Sequence, residues 1–90
     1  MSSKTKISAT LKSTRELGQL IREYRKSKRL TIEAVSGLAN VSSRFLSELE
    51  RGKETAEIGK VLKVLQTLGL DLVIQSRSSL AADLSENSND

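Results

Sequence analysis

The 90-residue sequence contains no cysteine and no histidine. Without cysteine there is neither a disulfide framework nor a thiolate metal site. Without histidine the commonest general base and the commonest metal ligand are both missing. No apolar run approaches the roughly 20 residues of a membrane-spanning helix, and residues 1–12 lack the apolar stretch of a signal peptide. We therefore expect a cytoplasmic protein that is not an enzyme, binds no metal or cofactor and does not enter a membrane.

Positive charge is concentrated in the first half of the chain. The formal net charge is +4; residues 1–13 carry three lysines and no acid, and residues 14–53 carry nine Lys or Arg against five Glu. Residues 76–90 have a net charge of −2. A basic front half suits a polyanion such as DNA, although a solvated helix face has the same composition.

Hydrophobic spacing divides the chain into an arm, a domain and a tail. Residues 1–12 are rich in Ser, Thr and Lys and are predicted to be a flexible basic arm; residues 76–90 are polar and are predicted to be a disordered tail. Residues 13–75 form the domain. Apolar residues three and four apart predict four helices, at residues 15–28, 32–39, 43–51 and 56–68. Residues 70–75 are short, β-branched and preceded by Gly69, which predicts a strand.

Caps and inner faces can be assigned to each predicted helix. The expected N-caps are Ser13 or Thr14, Thr31, Ser42 and Thr55. Asn40 tolerates a left-handed backbone and is expected to end the second helix, as Gly52 and Gly69 end the third and fourth. The residues expected to face the core are Leu17, Leu20, Ile21, Tyr24, Val35, Leu38, Ala39, Leu46, Leu49, Ile58, Val61, Leu62, Leu65 and Leu68.

Residues 31–52 have the layout of a helix-turn-helix, two short helices joined by about three residues. Ala39 is small where the helices must approach, and Val41 is an apolar pin in the turn. Capping by Ser42 leaves the positive end of the third helix free to approach DNA. Any two amphipathic helices joined by a turn share part of this pattern, so the layout alone is not decisive.

The sequence resembles the Cro and phage-repressor family of helix-turn-helix domains over about residues 15–70. The resemblance is carried by residues 30–33, 39–42 and 46–52, with Leu17, Gly18, Ile21, Arg22 and Arg25 upstream. It implies an all-α fold, a compact four-helix repressor-like domain, to which the sequence adds one C-terminal dimerising β-strand. The chain departs from the family at three positions: Ile32 replaces a phosphate-binding Gln, Asn40 replaces Gly and Ser36 replaces Ala.

The resemblance implies distinct roles for the residues around the third helix. Arg25 and Glu50 match a structural ion pair of the family. The positions that match its base-facing residues are Ser43, Arg44, Phe45, Ser47 and Glu48. Arg44 suits a bidentate contact with guanine and Glu48 can accept from cytosine, whereas Phe45 either touches a thymine methyl or belongs to the core. The expected phosphate-binding residues are Ser42, Arg22, Lys28, Arg29, Arg51 and Lys53. Each of these cations is also compatible with a solvated surface charge.

Residues 70–75 have no second strand in the chain to pair with. Since a lone strand leaves backbone N–H and C=O groups unpaired, we expect a homodimer. The strands of two copies would form an antiparallel ribbon through Leu70, Leu72, Val73 and Ile74. Two recognition helices would then face successive major grooves, ~34 Å apart, on a palindromic operator. The alternative is an extended tail lying over the fourth helix.

The ending of the domain, residues 64–74, resembles HipB-type antitoxins. This resemblance implies dimerisation through such a strand, binding of a HipA-type serine kinase toxin and repression of the chain's own operon. We therefore expect a sequence-specific repressor of double-stranded DNA that acts as an antitoxin. Two alternatives stay open: a phage or host transcriptional regulator without a toxin, and a protein-interaction module that has lost DNA binding.

Overall fold

A computed structural model describes residues 8–76 and shows four α-helices there. The helices are α1 (Thr14–Ser27), α2 (Ile32–Ala39), α3 (Ser43–Glu50) and α4 (Ile58–Thr67). The predicted four-helix domain is confirmed, and the bounds of α1, α2 and α3 lie within one residue of the prediction. The predicted flexible arm and disordered tail fall mainly on residues 1–7 and 77–90, which lie outside the described residues.

Serine and threonine hydroxyls cap the N-termini of the first three helices. The backbone N–H groups of Glu16, Ala34 and Phe45 donate to the side chains of Ser13, Thr31 and Ser42, at 3.1, 3.0 and 2.9 Å. The fourth predicted cap is wrong. Helix α4 begins two residues later than expected, and its N-cap residue is Glu57, which makes no side-chain cap bond, so Thr55 lies in the preceding turn.

The core lies where all four helices meet. Its buried apolar residues are Ile21, Val35, Ala39, Leu46, Leu49, Val61, Val64, Leu65 and Leu68. Partly buried side chains that pack against them include Leu17, Tyr24, Ile32, Val41 and Phe45. Ile32 therefore contributes packing at the position where the resembled family has a polar residue.

Three residues predicted to face the core are instead exposed. The exposed fractions of Leu38, Ile58 and Leu62 are 75%, 63% and 37%. Each lies on the edge of its helix's apolar stripe, and the stripe is wider than the face that the neighbouring helices cover. Val64 and Ser36 are buried instead, although neither was assigned to the core.

Helices α1 and α3 approach each other closely at Gly18. A Cβ atom at this position would overlap the main-chain carbonyl oxygen of Leu49 and lie 2.7 Å from that of Glu50. The turn after α3 also contacts α1, because the Thr14 hydroxyl donates to the Gly52 carbonyl at 2.9 Å. The N-terminal half of α1 therefore fixes the C-terminal end of α3.

Residues 70–76 leave α4 without regular secondary structure. The side chains of Leu72, Val73 and Ile74 are exposed, Ile74 to 91%. Together with residues 8–12 and the side chains of Leu17, Leu20 and Leu65 they line a groove. Because the predicted strand needs a second chain to pair with, the single chain does not test it, and the dimerising strand stays a prediction. In the described part of the chain, no helix combines the length and apolar character needed to cross a membrane.

Candidate nucleic-acid interface

The angle between α2 and α3 is fixed by apolar packing and by a pair of hydroxyls. Ala39 is buried and Val41 packs against the core from the turn. The buried Ser36 hydroxyl donates to the carbonyl of Glu33 at 3.3 Å, and its oxygen lies 3.2 Å from the hydroxyl oxygen of Ser43. Since Ser36 uses its proton on the carbonyl, Ser43 is the donor between the two hydroxyls. Ser36 thus ties α2 to the first turn of α3.

The C-terminal end of α3 is fixed by an ion pair with α1. Arg25 donates from Nε to Glu50 Oε2 at 2.7 Å and from Nη2 to Glu50 Oε1 at 3.0 Å. Its third nitrogen, Nη1, donates to the carbonyl of Leu30 at 2.7 Å. The Arg25 and Glu50 side chains are only 9% and 5% exposed. The hydrogen bond to Glu50 holds the pKa of the Arg25 guanidinium above its ordinary value, against the opposing effect of burial.

The outward face of α3 is polar and carries a connected set of side chains. Arg44 is 87% exposed and donates from Nε to Glu48 Oε2 at 3.2 Å. Lys53, just after the helix, donates from Nζ to Glu48 Oε1 at 3.0 Å. Arg51 donates to the Ser47 hydroxyl at 3.1 Å. The structure therefore brings together three expected base-facing residues, Arg44, Ser47 and Glu48, and two expected phosphate-binding cations, Arg51 and Lys53, on one surface.

Glu48 is the acidic residue within this surface. The hydrogen bond from Lys53 and then that from Arg44 lower the pKa of the Glu48 carboxyl below its usual value, against the opposing effect of burial. The carboxylate is therefore charged at neutral pH and is matched by two cations. Sequence reasoning assigned Glu48 to base reading but did not identify these two contacts.

Phe45 lies between the core and the surface. Its ring is partly buried and packs against the core cluster, and the Lys60 ammonium lies 5.7 Å from the ring centroid, within cation–π range. This geometry favours the core role over the thymine contact. Lys60 was missed in the sequence because it belongs to α4 and lies fifteen positions from Phe45, so no local pattern connects them.

The remaining expected phosphate-binding cations belong to α1 and the turn that follows it. Arg22 borders a shallow groove together with Arg15 and Glu50, next to the end of α3. Lys28 places its ammonium 5.1 Å from the centroid of the Tyr24 ring. Arg29 follows in a left-handed conformation with φ +60°. Arg22 thus lies beside α3, whereas Lys28 and Arg29 lie in the connection between α1 and α2.

Residues 16–74 match the family model described as a helix-turn-helix domain. The chain therefore belongs to the helix-turn-helix domain family. It is 47% identical over 64 residues to a protein of Sinorhizobium fredii (strain NBRC 101917 / NGR234), named uncharacterized HTH-type transcriptional regulator y4mF. The match spans 71% of this chain and 84% of that protein.

The fold is similar to that of solved structures of HipB. These include a HipB–O4 20mer complex and a HipA–HipB–O2–O3 complex, each with a TM-score of 0.72 over 77% of this chain and 97% of the matched chain. A structure named MDT Protein matches with the same TM-score and coverage. The sequence identity is 16% in all three cases. The similarity therefore establishes a HipB-like fold, which agrees with the predicted repressor-like architecture.

Proposed function

We propose that this chain is a sequence-specific transcriptional repressor that reads a palindromic operator as a homodimer. The observation that carries the proposal is the exposed polar face of α3, which the buried Arg25–Glu50 pair holds at one end. The proposed base-reading face consists of Ser43, Arg44, Ser47 and Glu48, with Phe45 in a packing role. The proposed phosphate-binding residues are Ser42, Arg22, Lys28, Arg29, Arg51 and Lys53. Within residues 8–76 the Arg44 guanidinium is bound only through Nε, to Glu48, and its two Nη groups suit the bidentate acceptor pattern of a guanine edge.

We further propose that this repressor is an antitoxin and binds a HipA-type kinase toxin. The support is the similarity in fold: 77% of the chain matches a chain from a complex of HipA, HipB and DNA named HipA-HipB-O2-O3. The matched region extends over nearly the whole of the HipB chains, 97%. Residues 64–74, where the sequence itself resembles HipB-type antitoxins, supply a second and independent argument.

A stand-alone transcriptional regulator is the second candidate. It is favoured by the relative from Sinorhizobium fredii, which is 47% identical and whose name describes a transcriptional regulator without mention of a toxin. The two candidates share the same DNA-reading face. They differ in whether a second protein binds the chain.

Replacement of Arg44 tests the DNA-reading face. An operator is first selected from random duplexes with the parent protein, and a scrambled duplex of equal length is prepared. We expect Arg44→Ala to weaken operator binding by about 1–3 kcal/mol and binding of the scrambled duplex much less, as measured by fluorescence anisotropy at fixed salt. Lys63→Ala, which removes the same charge from an exposed position of α4, is the control and should behave like the parent. Equal losses on both duplexes would contradict base reading by Arg44.

Purification of the chain from cells that express its whole operon tests the toxin partner. We expect a kinase-like protein to co-purify in a fixed ratio and to remain bound through size-exclusion chromatography. If the chain elutes free of any operon-encoded protein but still binds its operator, the stand-alone regulator is the correct function.

A further inference from the structure

The carboxylate of Glu48 is held from both sides by cations that belong to the same surface. Oε1 accepts from Lys53 at 3.0 Å and Oε2 accepts from Arg44 at 3.2 Å. The Glu48 side chain is 24% exposed, compared with 87% for Arg44 and 48% for Lys53. The Glu48 carboxylate is therefore less exposed than the two cations bound to it, and the cations are the groups that extend into solvent.

The backbone after α3 fixes one of these contacts. Gly52 adopts φ +90°, and the N–H of Lys53 turns back to donate to the carbonyl of Glu48 at 3.1 Å. Glu48 thus receives both the main-chain N–H and the side-chain ammonium of Lys53. The bond from Thr14 to the Gly52 carbonyl ties this turn to α1. The fold accordingly places the backbone of Lys53 next to Glu48, within reach of its side-chain ammonium.

We propose that Glu48 is a positioning residue that sets DNA specificity through Arg44 and Lys53, a role that rests on the proposed DNA-binding function. Both of its oxygens already accept from cations, so its main task is to direct the Arg44 guanidinium along the outward face of α3. It also neutralises charge that would otherwise bind any phosphate. Because non-specific binding to DNA is almost wholly electrostatic, Glu48 lowers affinity for random DNA more than affinity for the operator.

This role differs from direct reading of cytosine, which the sequence alone suggested for Glu48. A direct reader contributes discrimination at its own base pair, independently of Arg44. A positioning residue contributes at the base pair that Arg44 reads, and this contribution to base discrimination disappears when Arg44 is absent, whereas the neutralisation of Lys53 remains. The two roles therefore predict different outcomes in a double-mutant cycle.

The experiment uses the full chain with the single variants Glu48→Gln, Glu48→Ala and Arg44→Ala and the double variant of the two alanine changes. Dissociation constants are measured on the selected operator, on each of its single base-pair substitutions and on a scrambled duplex, over a range of KCl concentrations. Glu54→Gln removes the same charge from an exposed site next to Lys53 and is the matched control. Circular dichroism confirms that each variant is folded.

We expect Glu48→Gln to bind the scrambled duplex severalfold more tightly, with a log–log salt slope steeper by about one per additional phosphate contacted. The ratio of operator to scrambled affinity should fall roughly tenfold, within the range for loss of one good base contact. The control should retain the parental ratio. In the Arg44→Ala background, Glu48→Ala should change the discrimination between the operator and its single base-pair substitutions by less than about twofold.

Two results would overturn the proposal. In the first, Glu48→Ala loses discrimination at a base pair other than the one that Arg44→Ala loses, and the two losses in affinity multiply in the double variant. Glu48 would then read that base itself. The second is an unchanged ratio and salt slope in Glu48→Gln while the parent still prefers its operator. A parent that binds every duplex equally would instead contradict the proposed function, so the two failures are distinguishable.

Discussion

Arg25 is the charged residue on which the placement of α3 depends. Its three donor groups bind both oxygens of Glu50 and the carbonyl of Leu30, and within residues 8–76 no buried side-chain nitrogen or oxygen lacks a partner. Removing two charges from water costs several kcal/mol, which the attraction between them roughly offsets. The pair therefore fixes the position of α3 against α1 more than it adds to the free energy of unfolding. It is a polar contact beside a core of aliphatic side chains.

We expect Glu50→Ala to destabilise the protein by about 3–5 kcal/mol, because it leaves the Arg25 guanidinium buried without its counter-ion. Urea unfolding followed by circular dichroism, at one fixed protein concentration, measures this loss. The double variant Arg25→Met and Glu50→Leu removes both charges and should recover most of the stability. A double variant as unstable as Glu50→Ala would show that packing at this site, and not the unpaired charge, causes the loss.

At the level of the helices, periodicity and caps were sufficient to predict α1, α2 and α3. The hydroxyls that begin these helices are local and lie in the sequence itself. The start of α4 was not predictable in this way, because Thr55 is a good cap by composition whereas Glu57, the residue that takes the position, makes no cap bond. Leu38 was wrongly predicted to face the core. Apolar residues spaced three and four apart show which face of a helix is apolar, but they do not show how much of that face the neighbouring helices cover.

The candidate site was predictable to a similar degree. The resemblance identified the residues of α3, and the structure places Arg44, Ser47 and Glu48 on one outward surface. The contact between Lys53 and Glu48 depends on the turn at Gly52, and the contact of Lys60 with Phe45 depends on how α4 packs. Such contacts join separate elements, so sequence spacing does not predict them.

Two glycines in helices test the close approach of α1 and α3. We expect Gly18→Ala to destabilise the protein by about 1–3 kcal/mol, because its Cβ would overlap backbone atoms of Leu49 and Glu50 that cannot easily move. Gly37→Ala is the matched control: it lies in α2 with no atom near its Cβ position, and it should stabilise by about 0.5–1 kcal/mol through helix propensity. Thermal unfolding of both variants measures the difference. If the two changes had the same sign, the helices would not approach as closely as described.

At the scale of the whole molecule, the exposed residues after α4 bear on the proposed dimer. Leu72, Val73 and Ile74 are apolar, consecutive and exposed, and they line one groove together with residues 8–12 and side chains of α1 and α4. An operator of two half-sites requires two recognition helices at a fixed spacing. The proposed interface would provide this spacing by joining the two domains through their last described residues.

We expect Ile74→Lys, and likewise Val73→Lys, to convert the proposed dimer into monomers, because a charge would be buried in an apolar ribbon. Sedimentation velocity across a range of concentrations measures the change. Leu38→Lys places the same charge at another exposed apolar residue, on α2, and should leave the dimer intact. Dimers of Ile74→Lys together with monomers of Leu38→Lys would locate the interface on α2 instead.

The third contact of Arg25, with the Leu30 carbonyl, also bears on protein engineering. Since Leu30 lies just before α2 and Glu50 ends α3, one α1 side chain holds both ends of the recognition unit. A synthetic peptide limited to residues 31–52 would lack this anchor and the Gly18 surface, and its two helices have only eight residues each, too few to be stable alone in water. If residues 31–52 are transferred to another scaffold, α1 must therefore be transferred with them.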